Sequence, residues 1–235
     1  MKHSKRFRAL GEKVSAQKYA LDEAIKLVKE LASAKYDESI DLSIKLNIDP
    51  KKTDQLVRGI SQLPHGTGKK KTILVLTKGE KEKEAKDAGA DHVGFDDYIE
   101  KIKSGWAAVD IIIATPDVMA DVGKLGKILG PRGLMPSPKS GTVTFDVADQ
   151  IKALKKGKVD FKTDKTGCLH IAVGRASFDA DKLRENVLAF LQDLTLAKPS
   201  SVKGQFVRTM TISSTVGPGI GLDEKAIFSD LRKGG

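Results

Sequence analysis

Ile40-Asp-Leu-Ser-Ile-Lys-Leu-Asn-Ile48 is apolar at every even position and polar at every odd one. A strict period of two is the mark of a strand with one face in a core and the other in solvent. Its outward row, Asp41, Ser43, Lys45 and Asn47, is a polar strip open to a partner. Pro50 ends the strand, and residues 54–60 predict a short helix. Upstream, Leu21, Ala24, Ile25, Val28, Leu31 and Ala32 fall on one face of a helix over residues 21–32. The chain then changes character. Thr72-Ile-Leu-Val-Leu-Thr77 and Val109-Asp-Ile-Ile-Ile-Ala114 are near-continuous apolar runs, as in strands buried on both faces of a parallel sheet. Charged helices are predicted over residues 80–88 and 96–103, separated by residues 89–94, and another begins at Pro116 near Asp117. Strands alternating with helices predict a three-layer α/β unit closing near Lys158.

Past that point the alternating style returns. Residues 159–162 and 168–173 predict an antiparallel hairpin around Thr163-Asp-Lys-Thr-Gly167. A helix over residues 179–196 buries Leu183, Val187, Phe190, Leu191 and Leu194, and Lys198-Pro199 stops it. A final strand covers residues 205–214. The two ends of the chain share this half-exposed style, and neither has enough strands alone. The expected class is therefore α/β with two domains. A discontinuous α+β domain with an antiparallel sheet takes residues 1–66 and 159–235, and an inserted three-layer α/β domain, Rossmann-like in kind, takes residues 67–158. Two crossings, near residues 66–69 and 158–160, make a hinge between the domains an expectation.

The chain has 235 residues and a formal charge of +10, from 41 Lys and Arg against 31 Asp and Glu. One cysteine excludes an intramolecular disulfide framework, and His3, His65, His92 and His170 are scattered rather than set at zinc spacing. No run approaches the roughly 20 apolar residues that span a bilayer. The N-terminus, Met1-Lys-His-Ser-Lys-Arg-Phe-Arg8, is basic but lacks the apolar stretch of a secretory signal. A reducing, cytosolic setting is expected. The charge is local: basic residues gather in residues 1–11, 50–71, 123–141 and 152–158, while residues 80–100 are acidic. Such patches read as phosphate-contacting faces or as solvated helix surface.

Gly126-Lys-Ile-Leu-Gly-Pro-Arg-Gly-Leu-Met-Pro-Ser-Pro-Lys-Ser-Gly-Thr142 mixes flexible, rigid and basic residues. It reads either as an RNA-phosphate or docking loop, or as a structural loop anchored by Leu125, Ile128, Leu129, Leu134 and Met135. His65-Gly-Thr-Gly-Lys69 is not a phosphate-binding loop, because Leu63 stands where the first glycine belongs and Lys70 where Ser or Thr belongs. Gly217-Pro-Gly-Ile-Gly221 fails the dinucleotide pattern at Leu222. No histidine sits in a nucleophile motif, Cys168 reads as a small buried residue, and Asp96-Asp97 reads as a helix N-terminus. No catalytic constellation assembles. Lys35-Tyr-Asp-Glu-Ser39 and Ser213-Ser-Thr-Val-Gly217 flank the two predicted strands and meet at one edge if those strands share a sheet. Together they offer an ammonium, an aromatic ring, hydroxyls and a glycine backbone, a set suited to ribose hydroxyls and phosphates. Aromatics at 5% argue against a broad base-stacking platform. The competing classes are an α/β enzyme using the inserted domain and a protein-docking adaptor.

Val57-Arg-Gly59, Leu63-Pro-His-Gly-Thr-Gly-Lys69 and above all Leu129-Gly-Pro-Arg-Gly-Leu-Met-Pro136, with Pro138-Lys139 and Gly141-Thr-Val143, resemble the bacterial large-subunit ribosomal protein L-one family. The likeness extends over the whole chain, through Asp164-Lys-Thr-Gly167 and Phe178-Asp-Ala-Asp-Lys182. It implies the discontinuous layout above and a non-catalytic part of the 50S subunit, cytoplasmic, monomeric when free and without a cofactor. It further implies partners: the stalk region of large-subunit rRNA, deacylated tRNA leaving the exit site, and the protein's own operon mRNA, which many bacterial members repress. Carried over position by position, the RNA-gripping residues are Lys35, Tyr36, Asp37, Ser39, Ser43, Lys45, Asp164, Lys165, Thr166, Thr209, Thr215, Val216 and Gly217. Tyr36 stands for a usual Phe and keeps the ring. Val216 stands for a usual Met and shortens an apolar contact.

Overall fold

The computed structural model describes residues 4–15, 17–79 and 81–233. Met1, Lys2 and His3 of the basic N-terminus lie outside these residues, as does Glu80 at the start of the predicted charged helix. The chain opens with α1 (Lys5–Gly11), α2 (Leu21–Leu31), β1 (Ser39–Leu46), a 3-10 turn (Thr53–Gln55) and β2 (Arg58–Gln62). It continues through β3 (Ile73–Leu76), α3 (Lys81–Asp87), β4 (His92–Gly94), α4 (Asp96–Lys103), β5 (Ile111–Ala114), α5 (Met119–Lys124), α6 (Gly126–Leu129) and α7 (Val147–Lys155). It closes with β6 (Lys158–Lys162), β7 (Cys168–Arg175), α8 (Ala180–Leu196), β8 (Val207–Ser214), β9 (Ile220–Leu222) and α9 (Glu224–Lys233). The fold is mixed α/β, with a four-stranded antiparallel sheet, a three-stranded parallel sheet and a two-stranded pair. Two compact units account for it: Met1–Gly68 with Val159–Gly235, and Lys69–Lys158.

In the discontinuous unit an antiparallel sheet runs β7-β1-β8-β9. The period-two segment is its inner strand, and Ile40, Leu42, Ile44 and Leu46 are buried. They join Ala24, Ile25 and Val28 of α2 and Leu183, Val187, Phe190 and Leu191 of α8 in one core. Helical spacing places both helices' apolar stripes on the same side of the sheet. Ala32, expected on the buried stripe of α2, is only partly covered at the helix end.

Two expectations are corrected. Residues 54–60 do not form a helix: after the 3-10 turn the chain extends into β2, which pairs with β6. Gly59 lies against the ring of Phe161, where a Cβ would come within 2.6 Å of Cζ. That ring packs edge-to-face on Phe190, with centroids 5.3 Å apart. Nor do β6 and β7 form a hairpin. A tight turn does reverse the chain, closed by Asp164 N donating to Cys168 O at 2.8 Å. But β7 pairs with β1, and β6 belongs to the separate sheet with β2. The strand ending at Ser214 is not the last one, since β9 and α9 follow and Ile220, Leu222 and Ile227 enter the core.

In the inserted unit the parallel order is β4-β3-β5. Ile73, Val75 and Ile113 pack on Ala85, Val147 and Ile151, while Leu74, Leu76, Ile112 and Ala114 pack on Ile99, Ile102, Val122 and Leu129. The sheet is thus covered on both faces, as its unbroken apolar strands require. The Gly/Pro-rich segment holds to this core. Leu125 and Leu129 are buried, Ile128, Leu134 and Met135 pack beside them, and Val143 bridges in parallel to Ala114.

Asn186, on the buried face of α8, fastens the last turn of the first segment. Its Nδ2 donates to Gly66 O (2.9 Å) and Val173 O (2.8 Å), and its Oδ1 accepts from His65 N (3.0 Å). Asn186→Leu keeps the branched shape but orphans three backbone groups, so a loss of about 2–4 kcal/mol is expected for this unit. Urea unfolding followed by far-UV circular dichroism should show its transition at lower urea, while fluorescence of Trp106, in the other unit, stays in place. An unmoved dichroism transition contradicts this.

Candidate nucleic-acid interface

Burying one face of the antiparallel sheet leaves the other to water, and strand register decides what stands on it. Asp41 lies between Ala172 and Ser213, Ser43 between His170 and Thr211, and Lys45 between Cys168 and Thr209. Gly221 extends the Ser43 row beyond Thr211. All ten positions are partly or fully exposed. The rows are mostly polar, with Ser43, Thr209, Thr211 and Ser213 beside the larger Lys45 and His170, and carry no large apolar side chain. Ser43 Oγ and His170 Nδ1 are 3.0 Å apart. Asp41 is half-buried, and that desolvation raises its pKa, opposed by the charges of His170 and Arg175. His170 and Thr211 were not among the expected contacts. Only the pairing of β7 and β8 with β1 brings them onto this face.

At one end of the face stands the turn after β6. Asp164 Oδ1 accepts from Thr166 N (2.8 Å), Thr166 Oγ1 (2.7 Å) and Cys168 N (2.7 Å). These bonds, the Thr166 hydroxyl first and the Cys168 amide next, hold its pKa below the ordinary aspartate value. Gly167 takes φ +76°, which a side chain adopts only with strain, and packs on Ile48. Lys45 Nζ donates to Thr166 O, tying the turn to the sheet. Lys165 is left exposed at the apex. Asp164 thus shapes the loop that presents Lys165. Cys168, expected to be buried, is half-exposed on the open face because the alternation of β7 points it outward.

At the other end three segments converge. Ser39 N donates to Thr215 Oγ1 (3.0 Å), which donates to Ser39 O (3.3 Å). Asp37 accepts from Ser177 N (3.0 Å) and Ser177 Oγ (2.8 Å), while Arg175 Nη1 donates to Asp37 O (2.9 Å). Lys35 is exposed beside them, and Tyr36 is 55% exposed, one of the most open large apolar residues described. Gly217 sits where a Cβ would come within 2.5 Å of Ser214 Oγ, so a side chain there has to displace that hydroxyl. Arg6 Nη2 reaches Val216 O at 3.5 Å and brings the basic helix α1 to this edge. Sequence reasoning missed Arg6, Arg175 and Ser177, since no local pattern links them to residues 35–39.

The thirteen expected residues therefore share one surface in two groups. Lys35, Tyr36, Asp37, Ser39, Thr215, Val216 and Gly217 lie at one end. Lys45, Thr209, Asp164, Lys165 and Thr166 lie at the other, and Ser43 stands between. The eight residues of β1 set the span at about 25 Å. The surface presents hydroxyls, amides and a few cations, suited to hydrogen-bond a ribose-phosphate backbone.

The model of the ribosomal protein L1p/L10e family matches residues 28–218. A Kosmotoga olearia protein named large ribosomal subunit protein uL1 is 53% identical over 227 residues, 96% of this chain and 98% of its own. Proteins of the same name from Amoebophilus asiaticus and Chlorobaculum tepidum are 51% and 52% identical, over 97% and 92% of this chain and 98% and 94% of their own.

The depressed pKa of Asp164 gives a prediction with a definite sign. A carboxyl that titrates lower in the folded chain than in the unfolded one holds its turn above 3.8 and releases it as pH falls through the lower folded value. In a two-dimensional amide NMR titration the Thr166 and Cys168 signals should move together, with a shared midpoint below pH 3.8. A shared midpoint at or above 3.8 contradicts the geometry.

Proposed function

The chain belongs to the ribosomal protein L1p/L10e family, and on that premise we propose that it is a non-catalytic structural component of the large ribosomal subunit. The discontinuous unit binds the stalk region of large-subunit rRNA through the bare face of its antiparallel sheet. The observation that carries this reading is the composition of that face: three strands contribute rows of small polar side chains, and both ends carry loops rich in hydroxyls and backbone amides. Such groups select by shape and by the ribose 2′-hydroxyl, while phosphate attraction comes from the flanking cations Lys35, Lys45, Lys165, Arg6 and Arg175.

The finer parts of the proposal follow from the family. The inserted, Rossmann-like unit moves on the two chain crossings near residues 66–69 and 158–160, and it assists release of deacylated tRNA from the exit site. The same RNA face recognises a look-alike site on the protein's own operon mRNA and represses its translation. The protein works in the cytoplasm on the ribosome, is monomeric when free and needs no cofactor.

Affinity for the stalk RNA, measured against a scrambled duplex of equal length, tests the binding face. Thr215→Val with Gly217→Val removes the hydroxyl clamp and forces a Cβ onto Ser214, so a loss of about 1–3 kcal/mol per lost contact is expected, tenfold or more in all. Salt should weaken wild-type binding with a log–log slope of about −3 to −5, given the few cations at the face. Equal affinity of the double variant contradicts the proposed face. A flat salt dependence favours a protein-docking role instead.

A further inference from the structure

Between the two exposed strand-end loops lies Glu38, 1% exposed. It follows Tyr36 and Asp37 in the most open stretch of the interface, yet its side chain turns inward. Oε1 accepts from the amide of Ala34 at 2.7 Å, and Oε2 accepts from the amide of Val216 at 3.1 Å. Its backbone carbonyl accepts from the amide of Ala176 at 2.9 Å. One residue thus holds the loop before β1, the loop after β8 and the turn after β7.

Burial works against the charge on Glu38. Hydrogen bonding by the Ala34 and Val216 amides outweighs it, and the pKa stays below the ordinary glutamate value. A buried carboxylate left without such partners costs several kcal/mol, so the amides and the carboxylate hold one another in place.

We infer that Glu38 is a positioning residue for RNA recognition: its buried carboxylate fixes the Thr215–Val216–Gly217 backbone in the geometry that the RNA reads, without touching the RNA itself. The inference rests on the RNA-binding reading above. Asp37 does the matching task on the exposed side, where its carboxylate holds Ser177. Adjacent carboxylates pointing to opposite sides of the chain brace two loops against one strand end.

Glu38→Gln is the sharp variant. It keeps the shape but replaces one carboxylate oxygen with an NH2 group, so a donor faces a backbone donor. Stalk-RNA affinity of the full chain is measured for Glu38→Gln alone, with Thr215→Val and with Lys165→Ala. A residue acting through the 215–217 loop should lose about tenfold or more in the wild-type and Lys165→Ala backgrounds, and less than about twofold where Thr215→Val has already loosened that loop. A general loss of structure would lower affinity by the same factor in all three backgrounds. Far-UV circular dichroism checks folding. If Glu38→Gln does not fold, Glu38→Asp, which keeps the charge and shortens the reach, goes through the same cycle with the same expectation. Equal losses in the Thr215→Val and Lys165→Ala backgrounds, or no loss in the wild type, overturn the positioning role while leaving RNA binding intact. A wild-type protein that does not distinguish stalk RNA from the scrambled duplex overturns the binding reading, and the role of Glu38 with it.

Discussion

Strand β1 carries a neighbour on each side and a core beneath it, and almost everything else in the discontinuous unit follows from that position. Ile40, Leu42, Ile44 and Leu46 are each 1% exposed or less. Full burial of such side chains is worth about 1.5–3 kcal/mol apiece. A register slip of one residue would move all four into water and Asp41, Ser43 and Lys45 into the core. The penalty is large against a typical net stability of about 5–15 kcal/mol. Register is therefore fixed, and with it the identity of every residue on the open face. The open face is the complement of the core: the alternation that buries one set of side chains presents the other.

The open face is less charged than a net +10 suggests. Across its middle rows Lys45 is the one lysine or arginine among the paired residues described, and its ammonium is engaged with Thr166. The carboxylates nearby serve geometry. Asp164 closes its own turn, Asp37 pins Ser177, and Glu38 binds backbone amides of two loops. Anionic side chains beside a polyanion's site are tolerable when their charge is consumed by amide and hydroxyl donors. In the proposed RNA-binding role, selectivity comes from rigid, directional hydrogen-bonding groups, and the basic residues elsewhere on the chain supply long-range attraction.

Local periodicity made a good part of this legible. The even-position pattern of β1, the stripes of α2 and α8 and the apolar runs of β3 and β5 each declare their burial within a few residues of sequence. What escaped was non-local. Residues 58–62 extend because β6, about a hundred positions later, pairs with them and Phe161 covers Gly59, and no local signal reports a partner so distant. The turn at residues 163–167 is a true reversal, so a hairpin was the natural expectation, but the pairing of β7 with β1 is a tertiary choice. The site divides the same way. Loops flanking strands pointed to residues 35–39 and 213–217, and the family likeness supplied Asp164 to Thr166. His170 and Thr211 needed the strand register, and Glu38 looked like loop polarity because burial of a carboxylate depends on amides that only the folded loops bring to it.

The most direct test of RNA recognition by the bare sheet face is an amide chemical-shift map of the full, isotope-labelled chain with and without the stalk RNA. The largest changes should cluster at residues 35–45, 164–172 and 209–217, with the amides of α2 and α8, behind the core, nearly unmoved. Changes concentrated on those helices or on residues 123–141, with the sheet face silent, would contradict it.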